Sequence, residues 1–262
     1  MKGLSVSGVT FRYDGTRDGA AVLRGVDLAA PGGTVTSVVG PNGSGKSTLL
    51  KVISGYLRPH AGSVMLNGQV PHALVPAARS ALVTYCGDEP EPAFDFTVRE
   101  TVLLGQVARG PGREDQDAAD RAMEQVGVYE LRDRAITSLS SGERQRVYIA
   151  RAVCQDPEVF LLDEPTAHLD MAYELQVMEM VVGLARDRGK TVLTVVHDLN
   201  LALRFASRLF FLKDGSVVYS LTPDEVNAEV VREVYGVESW VTRHPALDCP
   251  IVIPAARVET TP

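Results

Sequence analysis

The sequence predicts an α/β fold with a doubly wound parallel sheet and an inserted helical region. Three observations support this. Short apolar runs typical of strands alternate with helix-like runs along most of the chain. A glycine-rich phosphate-binding pattern lies between one such strand and the next helix. From residue 97 to 157 the strand signals vanish and only helical periodicity remains. We therefore expect functional residues at the carboxyl edge of the parallel strands.

The bulk composition is that of a folded globular protein. The chain has 262 residues, of which 45% are hydrophobic and 23% charged, and its formal net charge is -7. The negative charge and the lack of a basic run argue against nucleic acid as a partner. The three cysteines are far apart, so we expect incidental thiols. The start, "MKGLSVSGVT", has no apolar leader and no long apolar run follows it, so we expect no membrane span.

The first third of the chain predicts strands around one helix. Alternation in "LSVSGVTFRY" predicts a half-buried strand, and "TVTSVVG" predicts a buried strand that ends at Gly40. Helical spacing of the leucines in "KSTLLKVISGYL" predicts the helix that follows. We read "GSVMLNG" as a strand closed by an Asn-Gly turn, and "ALVTYC" as a strand that leads into an acidic stretch.

The rest of the chain predicts a helical insertion and then further strand–helix alternation. Helices are expected in "TVRETVLLGQ", "AADRAMEQVGV" and "SGERQRVYIARAVCQ". The runs "VFLLDEP" and "TVLTVVHD" predict buried strands, with a helix stopped by Gly189 between them and "LNLALRFA" as a helix after them. We expect a hairpin turning at Asp214-Gly215, a helix over residues 224–235 and short strands beyond.

The phosphate-binding pattern is "GPNGSGKST". Backbone N–H groups from Asn42 to Thr48 can converge on phosphate oxygens at a helix N-terminus, and glycines permit that close approach. The ammonium group of Lys46 suits the β- and γ-phosphates, and the Ser47 hydroxyl suits Mg²⁺. The expected nucleotide-binding residues of this stretch are Gly40, Pro41, Asn42, Gly43, Ser44, Gly45, Lys46, Ser47 and Thr48.

The second chemical motif is "DEP" at the end of a buried strand. Taken alone, it could be an ordinary exit from a strand into a loop. After a phosphate loop, it indicates that Asp163 holds Mg²⁺ and that Glu164 acts as the general base toward water.

The stretch "LSSGERQRVYIARA", residues 139–152, narrows the choice among nucleotide hydrolases. It predicts a helix N-terminus with Ser141 as a plausible cap, an arrangement that could grip another phosphate. It also resembles the signature LSGGQ of the ATP-binding cassette (ABC) family and keeps Leu139, Ser140 and Gly142. The resemblance implies a head-to-tail homodimer around two ATP, in which the signature of one subunit contacts the γ-phosphate held by the other. The implied contact residues are Ser140, Ser141, Gly142 and Glu143.

The resemblance spans essentially residues 4–254. It implies a P-loop NTPase of the ABC type, with a RecA-like core, an N-terminal antiparallel β subdomain and a helical subdomain at about 89–157. The implied nucleotide-binding domain is 1–235, with a C-terminal extension at 236–262. Tyr13 matches the aromatic residue that stacks on adenine, Asp170 lies in the matching D-loop, and His197 matches the switch histidine. Without the other motifs, Tyr13 would be read as a core residue and His197 as a strand-end histidine.

Within this family the chain is similar to importer ATPases for iron-siderophore, haem and cobalamin uptake. The stretches that carry this similarity are "FDFTVRETVLLG", "HDLNLALRFASRLFFLKDG" and "VREVYGVESWVTRHPALDCPIVIP". It implies two membrane permease subunits, an external substrate-binding protein and a place on the cytoplasmic face of the membrane. Two alternatives stay open: a soluble ABC ATPase acting on nucleic acid or ribosomes, which usually has coiled-coil insertions or two cassettes, and a weakly hydrolysing interaction subunit.

The acidic stretch "YCGDEPEP" departs from the family pattern. Asp88 occupies the Q-loop position, where the group usually has glutamine, and we expect it to offer an oxygen to Mg²⁺. A solvated acidic loop and a separate metal site are the alternatives. A second departure is "GQVARGPG", which replaces a stretch that lies near the permease in the group.

Overall fold

The computed structural model describes residues 2–14, 20–87, 94–109 and 115–257. Within these ranges the chain forms two main sheets, a C-terminal hairpin and eight α-helices. Asp88 and the acidic residues after it lie outside the described residues, so the hypotheses about them stay sequence-based.

An antiparallel sheet occupies the N-terminal part of the chain. Its strands β1 (Gly3–Phe11), β2 (Leu23–Pro31) and β4 (Ala61–Leu66) lie in the order β2-β1-β4. The apolar residues of β1 are buried in two alternating pairs, Leu4 with Val6 and Val9 with Phe11, which a register shift separates. At the end of β4, Asn67 and Gly68 both have positive φ, as a tight Asn-Gly turn requires.

The central sheet is six-stranded and carries the functional edge. It comprises β3 (Val35–Val39), β5 (Val83–Cys86), β6 (Val159–Asp163), β7 (Thr191–Val195), β8 (Arg208–Lys213) and β9 (Ser216–Leu221). The order is β5-β6-β7-β3-β8-β9, and all neighbours are parallel except the β8–β9 hairpin. Every residue of β3, β6 and β7 is buried, which explains why these strands are rich in valine and leucine.

The helices cover the sheets and form one separate cluster. Their bounds are α1 (Lys46–Ile53), α2 (Pro76–Leu82), α3 (Val98–Leu103), α4 (Gln116–Gln125), α5 (Ser141–Gln155), α6 (Met171–Arg188), α7 (Leu199–Phe205) and α8 (Ala228–Tyr235). Helices α3, α4 and α5 follow β5 and pack on one another through buried apolar side chains before the chain enters β6.

The chain ends in a hairpin that lies against α7. Strands β10 (Val237–Arg243) and β11 (Pro250–Arg257) pair antiparallel. The side-chain amide of Asn200 in α7 donates to the Val252 carbonyl at 3.1 Å and accepts from the Val252 N–H at 2.7 Å. This amide therefore pairs with β11 as a neighbouring strand would.

Several local predictions need correction at their boundaries. Ser140, not Ser141, caps α5, because Ser140 and Glu143 satisfy each other as a capping box. The expected strand "ALVTYC" begins only at Val83, since the preceding residues form α2, a helix that the sequence reading missed. The helix expected over 224–235 begins at Ala228, after a separate 3₁₀ turn at Pro223–Glu225. Gly189 ends α6 with a φ of 65°, as predicted.

Candidate functional site

The phosphate loop connects the end of β3 to the start of α1. Gly40, Gly43 and Gly45 have φ values of 148°, 78° and 102°, a region that other residues rarely adopt. A side chain at Gly40 would also collide with the carbonyl oxygen of Leu212 in β8. Glycine is therefore required here both by backbone conformation and by the neighbouring strand.

Lys46 begins α1 and is only 6% exposed. Its ammonium group donates to the carbonyl oxygens of Gly40 and Pro41, each at 2.9 Å. Burial lowers the pKa of Lys46, while the carboxylates of Glu164 and Asp163 act in the opposite direction. The cation is thus held inside the loop with two acidic groups close enough to influence it.

A cleft of about 390 Å³ opens in front of this loop. That volume lies within the range of small-molecule sites. Four separate parts of the chain meet in it: the residue before β2, the phosphate loop with the start of α1, the end of β6 and the segment after β7. Its lining residues are Val22, Asn42, Gly43, Gly45, Lys46, Ser47, Thr48, Glu164 and His197.

Glu164 and His197 face each other across the ends of adjacent parallel strands. Glu164 follows β6 in the left-handed region, with a φ of 54°, and its N–H donates to the Val195 carbonyl at 2.9 Å. Its Oε1 atom lies 2.6 Å from His197 Nε2. The two side chains are 36% and 51% exposed, so water can reach both.

Asp163 is the last residue of β6 and is buried. Its Oδ2 accepts a hydrogen bond from the Tyr85 hydroxyl at 3.0 Å, whereas its buried Oδ1 has no hydrogen-bond partner among the described residues. Sequence reasoning missed Tyr85. The available signal was its place at the end of a predicted strand, immediately before the acidic stretch.

The donor set suits a cation that shares its ligands with a nucleotide. Within the described ranges, no group of three or more His, Cys, Asp and Glu side chains is arranged to hold a metal ion. The partnerless Oδ1 of Asp163 and the exposed Ser47 hydroxyl in the cleft are oxygen donors of the kind that Mg²⁺ prefers. The residues present therefore fit Mg²⁺ completed by phosphate and water oxygens.

The signature residues form the N-terminus of α5. The Ser140 N–H donates to Glu143 Oε2 at 2.8 Å, and the Glu143 N–H donates to Ser140 Oγ at 3.3 Å. The hydrogen bonds that the Ser140 N–H and hydroxyl donate to the carboxylate lower the pKa of Glu143. A side chain at Gly142 would approach the His168 carbonyl to 2.7 Å. Among the described residues that line the cleft, none belongs to this signature.

The two remaining sequence-predicted residues lie next to these elements. Asp170 caps α6 by accepting from the N–H groups of Ala172 and Tyr173, both at 3.1 Å. The Tyr13 hydroxyl lies 3.2 Å from Thr48 Oγ1, and the side chain remains 40% exposed. Tyr13 is thus placed beside the phosphate-loop helix with part of its ring open to a ligand.

A further contact with the loop comes from the end of α8. Tyr235 is largely buried and hydrogen-bonds with the Gly40 backbone. Burial raises the pKa of Tyr235 well above its usual range, so the phenol stays neutral. This contact joins residues far apart in the chain and has no sequence signal.

A phosphate loop at the end of β3, with an acidic pair at the end of β6 two strands away in the same parallel sheet, defines a nucleoside triphosphatase of the P-loop class. The family model described as "ABC transporter" matches residues 23–167. The chain belongs to the ABC transporter family, and the predicted family, fold and ATPase activity are confirmed.

Curated relatives agree over most of their length. The chain is 36% identical over 238 residues to the iron(3+)-hydroxamate import ATP-binding protein FhuC of Bacillus subtilis, covering 88% of each chain. It is 40% identical over 247 residues to the hemin import ATP-binding protein HmuV of Gloeobacter violaceus, covering 90% of each. It is 35% identical over 243 residues to the ferric enterobactin transport ATP-binding protein FepC of Escherichia coli, covering 90% of this chain and 89% of that one.

Solved structures of ABC proteins share the fold. An ABC transporter in an inward-facing conformation matches with a TM-score of 0.82 and 24% identity, covering 97% of this chain and 98% of that chain. A dimeric ATP-binding cassette in a post-hydrolysis state with ADP and Pi matches with a TM-score of 0.76 and 28% identity, covering 84% and 98%. In the part of the chain that the structure describes, no helix is both long enough and apolar enough to cross a membrane.

Proposed function

We propose that this chain is the ATP-binding and ATP-hydrolysing subunit of an importer for an iron chelate (siderophore), haem or cobalamin. The observation that carries the hydrolytic part is the cleft in which the phosphate loop meets the Glu164–His197 pair. The cargo class rests on the names of the relatives, which import or transport iron(3+)-hydroxamate, hemin, ferric enterobactin and, for a 38% identical protein of Halobacterium salinarum, cobalamin.

In the proposed mechanism, Glu164 accepts the proton of the attacking water. Its carboxylate is exposed to the cleft and held against His197, which orients the water and the γ-phosphate. Lys46 and the loop N–H groups stabilise the charge on the transferring phosphoryl group. Ser47 and Asp163 would hold Mg²⁺, with Asp88 offering a further oxygen, and the ion would neutralise charge between the β- and γ-phosphates.

The proposed active form is a homodimer that encloses two ATP. The N-terminus of α5 carries Ser140 to Glu143, none of which is among the described residues that line the chain's own cleft. Such an N-terminus favours an anion through its N–H groups and its dipole. Placed on a partner's nucleotide, it would complete that site, while Tyr13 would contact the adenine of its own nucleotide and Asp170 would lie at the junction.

The proposed membrane partners are two permease subunits. Exposed apolar side chains occur around α2 and the 3₁₀ segment Leu104–Arg109, which pack against each other. Val75, Leu104 and Val107 are 67%, 46% and 68% exposed there, and exposed apolar patches commonly mark protein interfaces. Tyr56, 78% exposed, is also near, since Arg79 of α2 donates to the Gly55 carbonyl at 3.1 Å.

This arrangement would place the chain as a peripheral protein on the cytoplasmic face of the membrane. An external substrate-binding protein would act only through the permease. No nucleic acid partner is proposed, in keeping with the acidic net charge of -7.

The test is Glu164→Gln, which removes the proton acceptor and keeps the shape of the side chain. We expect ATP binding to persist and hydrolysis to fall by about a hundredfold or more. A MgATP-dependent dimer should accumulate, because the phosphate loop and the signature both stay intact. Phosphate release and size-exclusion chromatography with MgATP measure the two effects.

The matched control is Glu179→Gln, an exposed position in the middle of α6. It should hydrolyse ATP as the unmodified chain does. A Glu164→Gln protein that stays monomeric and turns over normally would contradict both the base and the dimer.

A further inference from the structure

The hydrogen bond between Tyr85 and Asp163 links two neighbouring strands at the functional edge. In the pairing of β5 with β6, Tyr85 lies opposite Leu161. Its hydroxyl reaches two residues further along β6 and donates to Asp163 Oδ2 at 3.0 Å. The tyrosine ring packs against the apolar core beneath the sheet. This packing and the hydrogen bond together favour one position of the hydroxyl.

The hydrogen bond gives the two oxygens of the Asp163 carboxylate different roles. A phenol O–H that donates to an ionised carboxylate forms a charge-assisted bond and fixes the orientation of the acceptor. Here it occupies Oδ2 and leaves Oδ1, which is buried and lacks a partner among the described residues. A buried carboxylate oxygen in that state is costly unless a cation or water satisfies it. Tyr85 thus leaves Oδ1 as the carboxylate oxygen available to a ligand.

The absence of a side chain at Gly87 keeps this arrangement possible. A Cβ atom there would collide with the Tyr85 hydroxyl and lie 2.6 Å from Cζ of its ring. Gly87 leads directly into residues 88–93, which lie outside the described ranges. The tyrosine therefore connects the carboxylate with the start of the stretch that matches the Q-loop.

We propose that Tyr85 is a positioning residue that orients Asp163 for Mg²⁺, with the bare backbone of Gly87 providing the space that its hydroxyl needs. This inference rests on the proposed function, because it takes Asp163 to be a ligand of the nucleotide-bound metal. Residues that orient metal ligands typically change metal affinity by about 10- to 100-fold when removed.

The test measures Mg²⁺-dependent binding rather than turnover. Calorimetry would follow binding of the non-hydrolysable analogue AMP-PNP to the full chain, in EDTA and over a titration of MgCl₂. For Tyr85→Phe we expect unchanged affinity in EDTA and a Mg²⁺ requirement raised by about tenfold. Gly87→Ala should raise the requirement similarly, because it displaces the hydroxyl, and the double variant should add little to either change.

The matched control is Tyr219→Phe, which also removes a tyrosine–carboxylate bond, to Glu233, but on the β8–β9 hairpin. It should bind as the unmodified chain does. An unchanged Mg²⁺ requirement in Tyr85→Phe or in Gly87→Ala would overturn the inference. So would an equal loss of affinity with and without Mg²⁺, since that would indicate only a packing role.

Asp163→Asn separates this inference from the proposed function. It should remove most of the Mg²⁺ effect on AMP-PNP affinity. If it does and Tyr85→Phe does not, the tyrosine has no positioning role while the metal site stands. If Asp163→Asn responds to Mg²⁺ as the unmodified chain does, the proposed metal role of Asp163 fails, and the role of Tyr85 fails with it.

Discussion

Ser140 and Glu143, at the start of α5, form hydrogen bonds that fix the carboxylate of the signature. The carboxylate of Glu143 accepts from the backbone N–H and from the hydroxyl of Ser140, both at 2.8 Å. The signature serine is therefore held by its own helix, and the N–H groups of Ser141 and Gly142 lie outside the capping box. Where the family signature has a neutral glutamine, this chain places a negative charge that the capping bonds partly satisfy.

At this scale we predict that Glu143→Gln lowers stability in a pH-dependent way. The hydrogen bonds from Ser140 lower the folded-state pKa of Glu143, so its contribution is present above the unfolded pKa of about 4.3 and is lost as pH falls through the folded pKa. The deficit should therefore be largest near neutral pH, at about 0.5 kcal/mol for a largely solvated group at a helix start, and should shrink in acid.

Thermal denaturation from pH 7 down to below pH 4 measures the effect. Glu179→Gln, in the middle of α6, is the control and should show no comparable trend. A Glu143→Gln deficit that stays constant or grows in acid would contradict the proposed contribution of the ionised carboxylate.

Elements near the C-terminus contact α7, the helix that follows His197. Asp198 caps α7 by accepting from the Asn200 N–H at 2.7 Å, while the Asn200 side chain pairs with Val252 of β11. His197 directly precedes this cap. The hairpin β10–β11 is therefore tied, through α7, to the residue that faces Glu164.

At this scale we predict that Asn200→Ala loosens the hairpin and slows hydrolysis. Two hydrogen bonds to backbone groups are lost, at about 1 kcal/mol each, so stability should fall by about 2 kcal/mol. Hydrogen exchange should accelerate in residues 250–257, and phosphate release should decrease, because α7 no longer holds His197 as firmly.

The β2-β1-β4 sheet serves as the internal reference, since its exchange rates should not change. Faster exchange throughout the chain would indicate general destabilisation instead. Protected residues 250–257 in Asn200→Ala would show that the side-chain amide does not secure the hairpin.

In the proposed dimer, the chain supplies the phosphate-loop side of one ATP site and the signature side of the other. The phosphate loop, Glu164 and His197 share a cleft, and among the described lining residues the signature is not represented. Hydrolysis would thus depend on the approach of a second subunit. A partner that sets the distance between two such subunits would set the rate.

At this scale we predict slow hydrolysis by the isolated chain and faster hydrolysis with its permease. Phosphate release by equal amounts of chain, alone and assembled with permease in lipid discs, measures the difference. Glu164→Gln in the same assembly provides the background rate. Equal rates with and without permease would contradict a transport role, and stimulation by ribosomes or nucleic acid would favour the soluble alternative.

The sequence by itself determined the features that depend only on residues close to one another in the chain. The glycines around Lys46 require positive φ, the valine- and leucine-rich stretches of β3 and β6 favour burial, and Asp163 ends a strand that Glu164 follows directly. Local patterns encode such features because their physical causes act within a few residues. Family resemblance then indicated roles for Tyr13, Asp170 and His197 that spacing alone could not.

The tertiary structure alone decided which distant groups meet. Tyr85 and Asp163 are 78 residues apart, and Asn200 and Val252 are 52 apart. Their contacts follow from the strand order β5-β6-β7-β3-β8-β9 and from the packing of the C-terminal hairpin. Periodicity reports which face of a strand is buried but not which strand lies beside it, so these contacts required the folded molecule.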